Sequence, residues 1–250
     1  MAETEDGKKD VKKLAKNTGF LYLLSLSSQI VNLALIPFET RVLGSEAYGV
    51  IALSVAMSSI ITIVLDFGLI LSATERVVKL AGNAASLARL LGNVACAKAC
   101  LALAVGMVIV VLILFVPPFS EYRSLFLLYY LAYAVNAFLP DFFYRGHEDM
   151  RIITVRTVMV KVISALPIFF LLRGPSDMWV VPALLLAGNA AAVFFSYCDI
   201  RKRYRVEALT FDVKESFGIL RASFGFFVSR FSSVFYQSMN SVCLLYTSDA

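Results

Sequence analysis

Charge is what this chain has least of. Asp, Glu, Lys and Arg make up 16% of its 250 residues, against 59% hydrophobic residues. Mean hydropathy is +0.77. A soluble domain averages about 45–50% apolar residues, so an ordinary water-soluble fold is excluded. Histidine is almost missing: His147 stands alone in a short loop, which leaves no Cys/His metal centre. Neither a metal nor a cofactor is expected. Cysteine is sparse, with Cys96 and Cys100 one helical turn apart and Cys198 at a helix end, where all three read as small apolar packing residues. The P-loop pattern G-x-x-x-x-G-K-[ST] is absent, so the sequence shows no nucleotide-driven motor.

What the chain has instead is long hydrophobic runs. A hydrocarbon core about 30 Å thick takes roughly 20 apolar helical residues to cross. Runs that reach this length fall near 18–38, 48–71, 92–116, 124–143, 152–172, 179–198 and 217–240. Transmembrane β-strands alternate apolar and polar residues over about ten positions, and these runs are uniform and twice as long. The expected fold is all-α, a polytopic transmembrane helix bundle.

Basic residues outside the runs alternate. Five lysines precede the first run, and successive loops then hold 1, 3, 1, 2, 1 and 5 Lys or Arg. The positive-inside rule places the N-terminus in the cytoplasm. Residues 1–16 lack a small-residue cleavage site and read as a cytoplasmic segment rather than a cleaved signal. A seventh span would finish outside, which leads to the expectation that the chain is the N-terminal part of a longer protein. Residues 243–250, Cys-Leu-Leu-Tyr-Thr-Ser-Asp-Ala, match codon for codon the translation of a transposase adapter used in preparing DNA libraries. They are expected to be a non-native tail and are set aside from functional reasoning.

Five cations sit within the apolar runs: Lys98, Arg156, Lys161, Arg221 and Arg230. Only one acid, Asp66, is read the same way. An intramembrane charge costs roughly 2.5–3.5 kcal/mol on insertion scales and persists where it has a cavity, a partner or a ligand. The excess of cations points to a pathway for something anionic. Arg156 and Arg221 lie near span ends and can snorkel to the interface. Asp66 is positioned to pair with Lys98 or Arg156, and also reads as a coupling carboxylate. Lys161 lies nine residues into its run, about 13 Å, and Arg230 thirteen residues in, about 20 Å. Candidate substrate-binding cations are therefore Lys161 and Arg230, then Lys98 and Arg156, since ammonium and guanidinium groups suit phosphate oxygens.

Polar residues also recur at helical spacing. Ser25, Ser28, Gln29 and Asn32 form one such face, and Ser54, Ser58, Thr62 and Asp66 another. Further faces are Tyr129, Tyr133 and Asn136; Thr154, Thr157, Lys161 and Ser164; and Ser223, Arg230, Ser233, Gln237 and Asn240. Gln29, Asn32, Asn136 and Gln237 are the candidate polar lining of a hydrated cavity. The competing reading is that these stripes join helices, each hydrogen bond contributing about 0.6 kcal/mol.

Three stretches carry a family resemblance: residues 41–49 (Arg-Val-Leu-Gly-Ser-Glu-Ala-Tyr-Gly), Asp66-Phe67-Gly68 leading into Ser72-Ala73-Thr74-Glu75-Arg76, and residues 144–150 (Tyr-Arg-Gly-His-Glu-Asp-Met). In order and spacing across about 17–240, the chain resembles the polysaccharide/O-antigen flippases of the multidrug/oligosaccharidyl-lipid/polysaccharide (MOP) exporter superfamily. It departs from that pattern at Arg145, where the family often has Gln. The resemblance implies a first six-helix lobe over 17–200, a cytoplasmic basic linker over 201–216, and the first helix of a second lobe over 217–242. It implies a transporter, not an enzyme, that flips a polyprenyl-pyrophosphate-linked oligosaccharide across the membrane by alternating access. Its implied partners are that lipid-linked oligosaccharide, membrane lipids, and a polysaccharide polymerase with assembly proteins; no nucleic acid is expected.

Other readings stay open at this point. A lipid II or teichoic-acid flippase or a drug antiporter would share the fold, although cationic drugs favour acidic cavities. A membrane-embedded glycan polymerase or acyltransferase would need paired carboxylates or a His–Asp pair. A purely structural protein would leave Lys161 and Arg230 without a role. If the anion-pathway reading holds, Lys161→Glu and Arg230→Glu in the intact protein each abolish or sharply reduce transport at normal expression. Full transport by both variants would exclude it.

Overall fold

The computed structural model describes the backbone of residues 2–206 and 210–248. Side chains are described at 18, 19, 22, 26, 29 and 30 and, Pro117 and Pro118 apart, throughout 33–206 and 210–234. All regular structure among the described residues is helical. In chain order the helices are α1 (Ala2–Asp66), α2 (Leu69–Lys79), α3 (Ala84–Phe115), α4 (Pro117–Glu121), α5 (Arg123–Ala137) and α6 (Asp141–Gly146). They continue with α7 (Met150–Ala165), α8 (Ile168–Leu171), a 3₁₀ turn (Pro175–Asp177), α9 (Val180–Arg203) and α10 (Val213–Ser248).

Among the described residues, five stretches are long and apolar enough to cross a membrane: Leu33–Lys79, Ala84–Phe115, Arg123–Gly146, Met150–Leu171 and Pro175–Arg203. The chain is a multi-pass membrane protein with an all-α bundle. The first stretch is two limbs of α1. Gly44 adopts φ 78° and ψ 168°, a conformation essentially reserved for glycine, and breaks the helix between 43 and 45. The first limb therefore runs to residue 43, five residues beyond the end of the apolar run. This brings Glu39 inside the bundle, where it is 8% exposed. Asp66 is thus not the sole acid of the apolar segments, as its sequence context indicates; the run was bounded by hydropathy, whereas the helix ends only where glycine permits the turn.

The helices pack into two ends and a middle. Leu43, Ile51, Leu125, Tyr129, Ile168 and Leu172 form the core at the Gly44 end. Ile61, Leu65, Ile109, Ile113 and Phe126 join α1, α3 and α5 in the middle. Leu69, Val77, Leu91, Phe143, Tyr144, Ile153, Ile200 and Ile219 close the opposite end, near the basic linker. Helix α5 lies against α9, and both α5 and α7 lie against α1. That arrangement sets four helices around one interior space.

Helix α10 docks on the hinge between α1 and α2. Phe67 (φ 45°) and Gly68 (φ 72°) both have left-handed backbone conformations, and the Phe67 ring stacks on Phe227 at 4.6 Å. The Ser72 and Ser223 hydroxyls hydrogen-bond across the same contact. A Cβ at Gly68 would lie 2.7 Å from the Phe227 amide nitrogen and 2.8 Å from the Ser223 carbonyl oxygen. Gly68→Ala therefore combines backbone strain with a clash against helix backbone. It is expected to cost about 2 kcal/mol or more and to lower the thermal unfolding midpoint in detergent. Gly218→Ala, which meets open space, leaves that midpoint unchanged.

Candidate functional site

The interior space bounded by α1, α5, α7 and α9 is a cavity of about 670 Å³. The stripe Tyr129, Tyr133 and Asn136 lines it from α5, and Thr157, Lys161 and Ser164 line it from α7. Both faces arise from spacings of three and four residues, which stack side chains on one side of a helix. Glu39 and Tyr48 enter from the two limbs of α1, and Asn189 enters from α9. Among the described residues, Lys161 is the single cation in this lining and Glu39 the single carboxylate. Neither is ion-paired among the described residues.

The polar lining is organised by hydrogen bonds. Asn136 Nδ2 donates to Asn189 Oδ1 at 3.1 Å, and Asn189 Nδ2 donates to the Ala132 carbonyl at 3.0 Å. Thr157 donates to the Ile153 carbonyl at 2.8 Å, leaving its lone pairs available. The Tyr129 hydroxyl is buried without a partner. The site therefore offers one ammonium, one carboxylate, three phenols and two carboxamides to a polar guest.

A second group of charges lies one layer away, toward the linker end. Arg156 is 7% exposed and pairs with Asp141 through Nη2, while Nη1 donates to Ser196 Oγ at 3.2 Å. The snorkelling expected of Arg156 does not occur, because Asp141, at the start of α6, supplies a counter-charge inside the bundle. Nor does Arg156 pair with Asp66. Tyr144 donates to the Ser196 carbonyl at 3.0 Å and to Asp199 Oδ2 at 3.1 Å, extending the same network.

Lys98 has a different task. Its Nζ donates to the Ala137 carbonyl and reaches the Leu139 carbonyl at 3.5 Å. These carbonyls lie where α5 ends inside the bundle ahead of Pro140, which has no amide hydrogen to continue the ladder. A cation at a helix C-terminus satisfies those oxygens and complements the helix dipole. Lys98 also lies 5.7 Å from the Phe142 ring centroid. It is a helix cap rather than the ion-pair partner of Asp66. Asp66 Oδ1 accepts the Ile70 amide at 3.3 Å where α2 begins, and its Oδ2 is buried without a partner.

The remaining described candidates do not line the cavity. Arg221 and Arg230 are exposed on α10, and Gln29 is exposed on α1. The side chains of Asn32 and Gln237, like those of Ser25, Ser28 and Asn240, lie outside the described residues. In the Ser54, Ser58 and Thr62 stripe each hydroxyl bonds the carbonyl four residues earlier, at 2.7–2.8 Å. That stripe serves its own helix. Sequence reading missed Glu39, Asp141 and Asn189; the visible signals were an acid five residues before a glycine, an acid following proline within an apolar run, and a lone amide in an apolar helix.

Comparison with known proteins bears on this geometry. Residues 14–250 match the model of a family described as "Polysaccharide biosynthesis protein". A Shigella dysenteriae protein described as "Putative O-antigen transporter" is 22% identical over 238 residues, covering 92% of this chain and 58% of its own length. A protein of the same description from Escherichia coli (strain K12) is 20% identical over 179 residues, covering 72% of this chain and 43% of its own. The chain spans about half the length of these curated relatives. No solved structure matches.

The Arg156–Asp141 pair makes a direct prediction. Removing one member of a buried pair leaves an uncompensated charge and costs about 3–5 kcal/mol, whereas replacing both by apolar groups of similar volume is close to neutral. Asp141→Ala is expected to lower the unfolding midpoint markedly. Adding Arg156→Met to it should recover most of that loss, as measured by thermal unfolding of the purified protein.

Proposed function

Since the chain belongs to the polysaccharide biosynthesis protein family, we propose that it forms part of an inner-membrane flippase for an oligosaccharide linked through pyrophosphate to a polyprenyl lipid. The observation that carries this reading is Lys161, a cation unpaired among the described residues, on a polar stripe lining a cavity of about 670 Å³. An ammonium on a desolvated wall attracts phosphate oxygens strongly. Tyr129, Tyr133, Asn136 and Asn189 supply the aromatic faces and amide groups that contact sugar rings and hydroxyls. The isoprenoid chain stays in lipid while the polar head crosses by alternating access.

Glu39 faces the same cavity and supplies the coupling. In the empty cavity its carboxylate offsets Lys161; an incoming pyrophosphate takes over as counter-charge, and Glu39 then leaves that role by taking a proton. Substrate and the Glu39 carboxylate thus compete for one cation, so substrate binding and protonation of Glu39 favour each other. The six-helix lobe of 17–200, followed by the first helix of a second lobe, is the architecture that would let the cavity open to either side. The alternating basic loops support a cytoplasmic N-terminus. A transporter rather than an enzyme is favoured because a single carboxylate without histidine is a poor acid–base pair. The flipped unit would pass to a polymerase and assembly proteins.

Glu39 also favours a second reading, an antiporter for organic cations with the carboxylate as the binding group. Translocation of a lipid-pyrophosphate oligosaccharide into proteoliposomes by the full-length protein separates the two. The flippase reading predicts that Lys161→Gln lowers the rate by about tenfold or more, the worth of a charge-assisted hydrogen bond. It also predicts that Glu39→Gln retains substrate binding but loses its response to a pH gradient. Unaffected lipid translocation by Lys161→Gln, with loss of cationic-drug transport in Glu39→Gln, would replace it with the antiporter.

A further inference from the structure

A second cavity, of about 590 Å³, lies on the other face of α7, between α7 and α9. Val160 belongs to the wall between it and the first cavity. At one end the two helices meet closely, since a Cβ on Gly188 would lie 3.2 Å from Val160 Cγ1 and 3.3 Å from the Val160 carbonyl oxygen. The groove runs from there to the first turn of α7 and the last turn of α9. Its length from residue 163 to 151 is about 18 Å at helical rise, close to the depth of one bilayer leaflet.

The two ends differ chemically. Val155, Met159 and Ile163 on α7 and Phe195 on α9 line the long wall and are 41–57% exposed, as lipid-facing side chains are. The mouth holds Arg151, Arg156 and Arg203 with Asp149 and Asp199. Arg203 pairs with Asp149, Arg156 with Asp141, and Asp199 accepts the Tyr144 hydroxyl. Arg151 is exposed and has no partner among the described residues. Arg203 is the α9 cation of this rim; Arg201 and Lys202 share its turn but do not line the groove. Arg156, although 7% exposed, retains an Nε without a partner. Arg151 is thus the one guanidinium of the mouth that no described acid engages, and a free guanidinium above a lipid-open apolar wall is complementary to a lipid with an anionic head.

We propose that the groove between α7 and α9 holds an anionic phospholipid, its phosphate at Arg151 and the α9 rim and one acyl chain along Val155, Met159 and Ile163 against Phe195. Basic recesses between transmembrane helices are a general means of holding anionic headgroups, each nearby Lys or Arg adding favourable energy. The site is separate from the Lys161 cavity and does not depend on what that cavity transports. Its occupant would brace α7, which forms one wall of each cavity, so the composition of that leaflet would bear on the position of Lys161.

The single native tryptophan, Trp179, lies at the far end of α9 and allows a clean fluorescence test. The full chain with Trp179→Phe and Phe195→Trp is placed in nanodiscs of mixed phosphatidylglycerol and phosphatidylcholine, with bromine on the acyl chains of one lipid or the other. Brominated phosphatidylglycerol is expected to quench Trp at 195 more strongly than brominated phosphatidylcholine at equal mole fraction. Arg151→Gln should weaken that preference by about fivefold, and Arg151→Lys should preserve it. Leu103→Trp, on an exposed face of α3, should show no preference. Equal quenching by the two lipids at 195, or a preference untouched by Arg151→Gln combined with Arg203→Gln, would overturn the proposal. So would an absence of quenching by either lipid, which would mean that protein, a second copy or another segment, covers the groove.

Discussion

Backbone amides and carbonyls inside hydrocarbon have no water to turn to, and each one must be satisfied by the protein. Unbroken helices meet this requirement by themselves. Places where the helices break do not, and the polar chemistry of this molecule concentrates there. Helix α5 stops within the bundle ahead of Pro140, and Lys98 reaches across from α3 to take up the freed carbonyls. Helix α1 gives way to α2 at Phe67 and Gly68, where Asp66 accepts the Ile70 amide and α10 packs over the turn. Hydroxyls of Ser54, Ser58 and Thr62 bond back to their own helix. These polar groups are thus tied to the backbone before any ligand is considered.

That demand sorts the buried charges by role. Lys98 is engaged by a helix end and Arg156 by Asp141 and Ser196. Lys161 is different: its ammonium caps no helix end and meets no counter-charge among the described residues, and it shares a cavity with Glu39 without pairing. A cation without a structural obligation is the one available to a substrate. Its distance from the α7–α9 groove is no more than the thickness of a single helix, since Val160 borders both spaces. One helix therefore presents a polar face inward to a cavity and an apolar face outward to lipid, with a basic collar at its N-terminal end.

Much of this was legible from residue order. The helical class followed from runs of twenty apolar residues, and the faces Tyr129–Tyr133–Asn136 and Thr157–Lys161–Ser164 followed from their spacing. Each depends on distances along one helix, which sequence measures directly. The pairing of charges was not legible in the same way. Arg156 reads as a snorkelling residue because its depth is visible and its partner is not; Asp141 is fifteen residues away and reaches it only through the turn between α6 and α7. Glu39 reads as a loop residue because hydropathy falls at position 38, while the helix continues until Gly44 permits the turn.

Composition and periodicity alone determined that this chain crosses a membrane as helices, carries more intramembrane cations than acids, and places its polar residues in stripes. These are one-dimensional properties, governed by the thickness of a bilayer and the pitch of a helix. Tertiary structure decided which stripes meet, that Lys161 faces Glu39's cavity while Lys98 caps a helix, and that α7 and α9 enclose a groove closed at Gly188. Those outcomes depend on which helices are neighbours and how closely small residues let them approach, and a charge in a low-dielectric interior takes its role from whatever lies within a few ångströms of it.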